Sequence, residues 1–253
     1  MKAASAPASR RCVRRAAALL IGSELLSGKV RDENLQVLAK TLRAMGVELG
    51  RVVMCPDDRS DIAQDIRELS SQFDLVVTSG GVGPTHDDIT MEAVAAGLKR
   101  ELLLSPEMQS FLNARYGSLS EAHLAMATLP RGAELLNEGE RGAWPIVVVE
   151  NVWIFPGVPE LFRAKLATLR KHLRGPGQFH CQELYLGVEE TEIKLILDDL
   201  VLAHPEIDVG SYPKWLDARY KTKVTFDGRS EEAVRLAFDD ASRRFADCVV
   251  SVS

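Results

Sequence analysis

With 253 residues, 46% of them hydrophobic and 26% charged, the chain can bury a full core and has the composition of an ordinary globular protein, not of a disordered or fibrous one. The net charge of −5, without Lys and Arg runs interleaved with aromatics, excludes the basic footprint of a nucleic-acid partner. The longest apolar run, Ala16 to Ile21, falls far short of a membrane span, and Cys12, Cys55, Cys181 and Cys248 share no zinc or redox spacing, so a cytoplasmic protein with reduced thiols is expected.

Residues 1–15, rich in Ala, Ser and Arg and without an acid, read as a flexible tail rather than a targeting leader. From Ala16 short apolar runs alternate with helical stretches, the pattern of a mostly parallel sheet covered by helices in three α/β/α layers. Strands are predicted over Ala16–Gly22, Val47–Met54 and Asp74–Thr78, with helices over Glu33–Met45 and Ser60–Phe73 between them. Further helices are predicted over Thr90–Leu98, Pro106–Tyr116 and Glu121–Thr128. The β-branched runs Ile146–Val149 and Val152–Phe155 flank Glu150 and Asn151 and predict a hairpin. A helix from Glu160 to Leu173 closes a first domain over residues 16–174.

Arg174-Gly175-Pro176-Gly177 breaks the pattern and reads as a linker. Residues 178–253 then follow as strand (Phe179–Val188), helix (Thr191–Ala203), strand (Ile207–Tyr212), strand (Tyr220–Phe226), helix (Glu231–Phe245) and strand (Cys248–Val252). That βαββαβ order is the ferredoxin-like arrangement of a small α+β domain.

The stretch Thr78-Ser79-Gly80-Gly81-Val82-Gly83-Pro84-Thr85-His86-Asp87-Asp88 leaves the carboxyl end of a predicted strand and enters a helix, where open α/β sheets bind ligands. Its glycines let a phosphate approach backbone N–H groups, and the helix start adds partial positive charge. A tight turn with a capping Asp is the plain alternative. Asp87 and Asp88 beside a phosphate call for a cation, and Asp57 and Asp58 leave a neighbouring strand toward the same edge. Together they are candidate magnesium ligands, or simply helix caps. Gly22, Ser23, Glu24, Asp32 and Asn34 open at that edge too, as does the rigid turn Pro156-Gly157-Val158-Pro159-Glu160. His86 lies within the glycine loop, whereas His123, His172, His180 and His204 have no zinc-ligand spacing. No serine elbow, P-loop or activated cysteine is present, so covalent catalysis is not expected.

Gly22-Ser23-Glu24-Leu25-Leu26-Ser27-Gly28, the run from Gly80 to Asp88, and Phe155-Pro156-Gly157-Val158-Pro159-Glu160 resemble the molybdopterin-binding-like domain of the competence/damage-inducible protein A family. Gly210-Ser211-Tyr212-Pro213 is similar to the second-domain loop of that group and of eukaryotic FAD synthases. The chain ends where those proteins continue into an amidase or a nucleotidyltransferase domain, and neither activity is expected of it. The resemblance implies metal-dependent cleavage of the pyrophosphate in ADP-ribose or FAD. The alternatives are binding or adenylylation of molybdopterin, and a non-catalytic nucleotide- or pterin-binding module.

In this reading Asp57, Asp87 and Asp88 hold a divalent ion such as magnesium or cobalt and carry the catalysis. Gly22, Ser23, Glu24, Asn34, Ser79, Gly80, Gly81, Gly83, Thr85, Pro156, Gly157 and Tyr212 contact the ligand. Tyr212 equally suits an ordinary, locally packed turn. A homo-oligomer, a dimer foremost, is expected, with the small domain helping to complete the cleft.

Overall fold

The computed structural model describes residues 10–136, 143–215 and 219–252. The chain forms two compact units divided between Pro176 and Gly177. The first unit opens with β1 (Arg11–Cys12), β2 (Arg15–Ile21), α1 (Ser23–Leu26), α2 (Asn34–Ala44), β3 (Glu48–Cys55), α3 (Arg59–Gln72) and β4 (Leu75–Ser79). It continues with α4 (Thr90–Gly97), β5 (Leu102–Leu104), α5 (Pro106–Tyr116), α6 (Glu121–Met126), β6 (Thr128–Pro130) and β7 (Glu134–Leu136). The hairpin β8 (Ile146–Val149) and β9 (Val152–Phe155), then α7 (Pro159–His172) and β10 (Leu173–Arg174), complete it.

Among the described residues six strands form one sheet in the order β3-β2-β4-β9-β8-β7. β3, β2, β4 and β9 are mutually parallel, and β8 and β7 add antiparallel. Alternation along β2 sorts the core into two layers. Ala17, Leu19 and Ile21 meet Ile62, Ile66, Ala93 and Val94 of α3 and α4 on one face. Ala16 and Ala18 meet Leu38, Leu42, Phe162 and Leu166 of α2 and α7 on the other. A central strand buried on both faces needs apolar residues at every position, and β2 supplies them from Ala16 onward. The chain leaves β2 toward one helical layer and β4 toward the other, so a crevice opens between their carboxyl ends.

The second unit contains β11 (His180–Leu186), α8 (Glu190–Ala203), β12 (Asp208–Pro213), β13 (Thr222–Gly228), α9 (Glu231–Arg244) and β14 (Val249–Val252). Its sheet order, β12-β13-β11-β14, is antiparallel throughout and is that of the ferredoxin-like arrangement. Leu184, Leu186, Val224 and Phe226 pack beneath Ile193, Leu200, Val234 and Ala241 of its two helices.

Three expectations need correction. Residues 1–9 of the expected tail lie outside the described residues, but order begins before residue 16. β1 pairs in parallel with β10, the Val13 amide donates to the Arg174 carbonyl at 2.8 Å, and the Val13 side chain is buried. Arg174 is therefore part of a strand pair and not of a free linker. Gly210-Ser211-Tyr212-Pro213 is no loop either, since it forms the second half of β12, paired residue for residue with β13. The short strands β5, β6 and β7 were not foreseen, and the helix expected to reach Thr128 ends at Met126. Among the described residues no helix is long and apolar enough to cross a membrane.

One packing constraint yields a test in which two effects oppose each other. Replacing a helical glycine by alanine favours the helix by roughly 1 kcal/mol at most. A Cβ at Gly97, however, falls 2.7 Å from the Ala63 carbonyl oxygen and 2.9 Å from an Ile66 methyl, forcing α4 off α3. Overpacking of this kind costs about 1–3 kcal/mol, and here the nearest obstacle is backbone, which cannot swing aside. Gly97→Ala is expected to lower the urea-unfolding free energy; a gain in stability shows that the α3–α4 contact is slack.

Candidate functional site

The four parallel strands end at one edge, and the segments leaving them are joined by hydrogen bonds. After β2, the Gly22 amide donates to the Cys55 carbonyl at 3.1 Å, tying the first loop to the end of β3. Ser23 and Asp57 then bond reciprocally. The Ser23 amide donates to Asp57 Oδ2 at 2.8 Å, and the Asp57 amide donates to Ser23 Oγ at 3.2 Å. Gly22 and Ser23 thus shape the loop, while Glu24 and Asp57 line the cleft beyond it.

Asn34 joins the other two loops. Its buried carboxamide donates to Ser79 Oγ at 2.9 Å, at the end of β4, and to the Gly157 carbonyl at 2.7 Å, after β9. Gly80 and Gly157 meet so closely that a Cβ on Gly157 would lie 3.2 Å from the Gly80 Cα. Gly80 itself has φ +112°, and a Cβ there would come within 2.2 Å of the Ile21 carbonyl oxygen. Gly81 at φ +62° faces the Thr90 hydroxyl in the same way. Thr90 fastens the loop from beneath, its amide donating to the Gly81 carbonyl at 3.1 Å and its hydroxyl to the Gly80 carbonyl at 2.9 Å. The glycines are therefore required by the turn. The turn in its way leaves three consecutive amides, those of Gly81, Val82 and Gly83, without a hydrogen-bond partner among the described residues. Such a run of unpaired N–H groups at a cleft wall is a place for an anion.

The open cleft has a volume of about 610 Å³ and is lined by Asn34, Ser79, Gly80, Gly81, Gly83, Pro156 and Gly157. Asp57, Asp87 and Asp88 also line it. Thr85 faces an adjoining pocket and holds the acidic pair in place: its amide donates to Asp88 Oδ2 at 2.8 Å, and its hydroxyl lies against both carboxylates. The Thr85 hydroxyl, with Asp87's own backbone amide, holds the Asp87 carboxyl below the usual carboxylate range. Neither acid caps α4, whose N-cap residue Ile89 has no side-chain cap. Asp58, in contrast, is a helix cap. It accepts from the Ser60 and Asp61 amides at the start of α3, and the Ser60 hydroxyl first of all lowers its pKa.

Six carboxylates, those of Glu24, Asp32, Glu33, Asp57, Asp87 and Asp88, face two guanidiniums, those of Arg31 and Arg115, around the cleft. A bare phosphate entering that field needs an accompanying cation. Among the described residues no group of three or more His, Cys, Asp and Glu is gathered so as to hold a metal ion by itself. The carboxylates instead suit an ion such as magnesium, which takes one or two protein oxygens and completes its shell with ligand phosphates and water. Cys55 is no nucleophile: burial foremost, then the charges of Asp65, Asp57 and Asp61, push its thiol up to about 12.

The His86 side chain is almost wholly exposed at the lip of the loop. Tyr212 belongs to the second unit, half exposed on β12, with the Lys223 ammonium 5.2 Å from its ring centre. Sequence reasoning missed Arg31, Arg115, Tyr116 and Trp144, all of which line the cleft. Arg31 was the one within reach, because it stands beside residues already singled out. The others come from segments far along the chain with no motif around them.

Residues 17–174 match the family described as "probable molybdopterin binding domain", and residues 178–252 match "FAD synthase, middle domain". A protein of Archaeoglobus fulgidus is 33% identical over 219 residues, covering 86% of this chain and 92% of its own length. A probable FAD synthase of Caenorhabditis elegans is 32% identical over 246 residues; 87% of this chain is covered, but only 47% of that protein. The crystal structure of CinA from Thermoplasma acidophilum, described as of unknown function, is 30% identical with a TM-score of 0.57, covering 62% of this chain and 96% of that one.

Asn34→Ala removes the donor shared by Ser79 and the Gly157 carbonyl. Leaving such buried groups unsatisfied costs about 1–3 kcal/mol. Urea unfolding is expected to show that loss, and an unchanged midpoint and slope would mean that the bridge is dispensable.

Proposed function

This chain belongs to the molybdopterin-binding domain family as a CinA-like member with a second unit like the middle domain of FAD synthases, and from that premise we propose that it is a metal-dependent nucleotide pyrophosphatase acting on ADP-ribose or FAD. The observation that carries this reading is the set of unpaired amides from Gly81 to Gly83 lining one cleft together with the carboxylates of Asp57, Asp87 and Asp88. The amides receive a phosphate oxygen without a side chain intervening. The Pro156-Gly157 turn, held by Asn34, forms the opposing wall.

One or two of Asp57, Asp87 and Asp88 would hold the divalent ion together with the pyrophosphate; when bound, the ion neutralises phosphate charge and makes water more acidic. Arg31 and Arg115 add positive charge at the rim. Thr85 keeps Asp87 ionised, because a hydroxyl hydrogen bond favours the charged carboxylate. The family model over residues 17–174 supports a second reading, a binding protein for a pterin, whose phosphate would occupy the same amides.

Incubation of the purified chain with ADP-ribose or FAD and a series of divalent ions should release AMP, and a chelator should stop it. Binding without AMP release under any ion leaves the non-catalytic module. Asp87→Asn and Asp57→Asn should each lower turnover on the order of 100-fold or more. Asp58→Ala should instead lower the melting temperature and leave turnover in place. Equal turnover in all three variants would reduce the acids to structural roles.

The pH dependence follows from the sign of the Asp87 shift. Its pKa is depressed, so its charge persists through neutral pH and is lost only as pH falls through the lowered value. Thr85→Val removes the main cause and should move the acid limb of the pH–rate profile toward higher pH. An acid limb that stays put would separate Asp87 from the reaction.

A further inference from the structure

Among the described residues the large sheet has the eight-residue β3 at one edge and the three-residue β7 at the other, and no strand pairs with the outer side of β3. An open edge of that length is a template for another strand unless charge, proline or a bulge blunts it. β3 is blunted at its two ends and not between them. Gly50 is skipped in the register with β2, where Ala16 faces Leu49 and Ala17 faces Arg51. At the other end Pro56 has no N–H, and its carbonyl accepts from the Asp58 amide at 2.9 Å. The open stretch is therefore residues 51–55, Arg-Val-Val-Met-Cys, and Arg51 is its single charge.

One hydrogen bond fixes the direction of the backbone groups along that stretch. The Cys55 carbonyl accepts from the Gly22 amide at 3.1 Å, just past the end of β2, so the polar groups of Cys55 point toward β2. Such groups alternate along a strand, so those of Arg51 and Val53 point the same way, while the N–H and C=O of Val52 and Met54 point outward. These two residues also expose their side chains, at 40% and 39%, and alternation places them on one face of the sheet. Val53 packs instead against the core layer that holds Ile62 and Ile66.

We propose that two copies of the chain join along this edge, their β3 strands antiparallel about a two-fold axis at Val53. Val52 then faces Met54 of the partner subunit, and each such pair exchanges two N–H···O=C bonds. The four exposed side chains meet in two cross-strand pairs. Charge favours this direction over the parallel one. It lays Arg51, which also reaches Glu68 at 2.6 Å, opposite Cys55 of the partner subunit and close to that copy's Asp57. Parallel pairing in register sets the two arginines side by side. The contact is self-complementary and bounded by Gly50 and Pro56, so it closes as a dimer. The two strands run in opposite directions, so the clefts open at opposite edges of the joined sheet, and the pairing is independent of what they bind.

Light scattering over a concentration series should show the mass rising to twice that of one chain, and amide exchange at Val52 and Met54 should slow as the dimer forms. Met54→Pro removes an outward N–H and no bond to β2, so it should give a monomer that is folded by circular dichroism. Val53→Pro removes a bond to β2 and should lower the melting temperature instead. Val52→Lys should weaken association roughly tenfold, because both cross-strand pairs are lost. If Met54→Pro does not fold, Val52→Lys carries the comparison. A wild type that stays monomeric at every concentration overturns the proposal, as does a dimer whose affinity neither Met54→Pro nor Val52→Lys changes. Growth into species larger than a dimer overturns the two-fold closure.

Discussion

The Asn34 carboxamide, reaching Ser79 on one side and Gly157 on the other, is the interaction on which the cleft depends. The parallel strands bring their ends to one edge, but nothing in a sheet obliges the loops beyond those ends to meet. One planar group with two donors closes the interval between those that follow β4 and β9. The closure is tolerated because glycine stands at both points of contact, Gly80 and Gly157, where side chains would hold the loops apart. Asn34 in turn is fixed because it opens α2, whose first amides are received by Asp32. Helix start, sheet edge and ligand wall are therefore one construction.

Charge is divided within that construction according to what each acid touches. Asp58 and Asp32 serve helix starts, and Glu33 pairs with Arg163 at 2.5 Å. Asp57 and the pair Asp87 and Asp88 are held by Ser23 and Thr85, short hydroxylated neighbours that orient a carboxylate without neutralising it. An acid held by a neutral donor keeps its charge for a visitor, and an acid paired with arginine does not. That difference separates the carboxylates available to a cation from those occupied in the architecture.

Much of this was legible in the residues. The strand ends around Gly22, Ser79 and Pro156 follow from apolar runs interrupted by glycine and proline, and the hairpin from Ile146 to Phe155 is found where its β-branched runs predict it. The acidic pair at 57 and 58 was not separable by sequence. Both residues precede a helix, and only the path of the backbone turns one toward Ser23 and the other onto the helix start. The strand pairing of Arg11–Cys12 with Leu173–Arg174 joins chain segments far apart and leaves no local periodicity to read. Gly210 and Pro213 looked like turn residues because both disfavour strands. β12 lies at the sheet edge, where a proline costs no ladder hydrogen bond. Trp144 escaped notice because aromatic residues ordinarily signify core, and only the geometry places it on the cleft.

The span of the Asn34 bridge also bears on how the chain acquires its shape. Asn34 and Gly157 are 123 residues apart, so the contact closes a long loop and belongs among the slow, non-local steps of folding. The segment through β4 can collapse around Ala17, Leu19 and Val76 while the far wall of the cleft is still unsynthesised. Only when β9 docks beside β4 does Gly157 come into reach. A ligand that needs both walls binds nothing that precedes this event, and by mass action it stabilises the finished unit over every partly folded form. Occupancy of the cleft is thus coupled to completion of the chain, and an incomplete product is left without that protection.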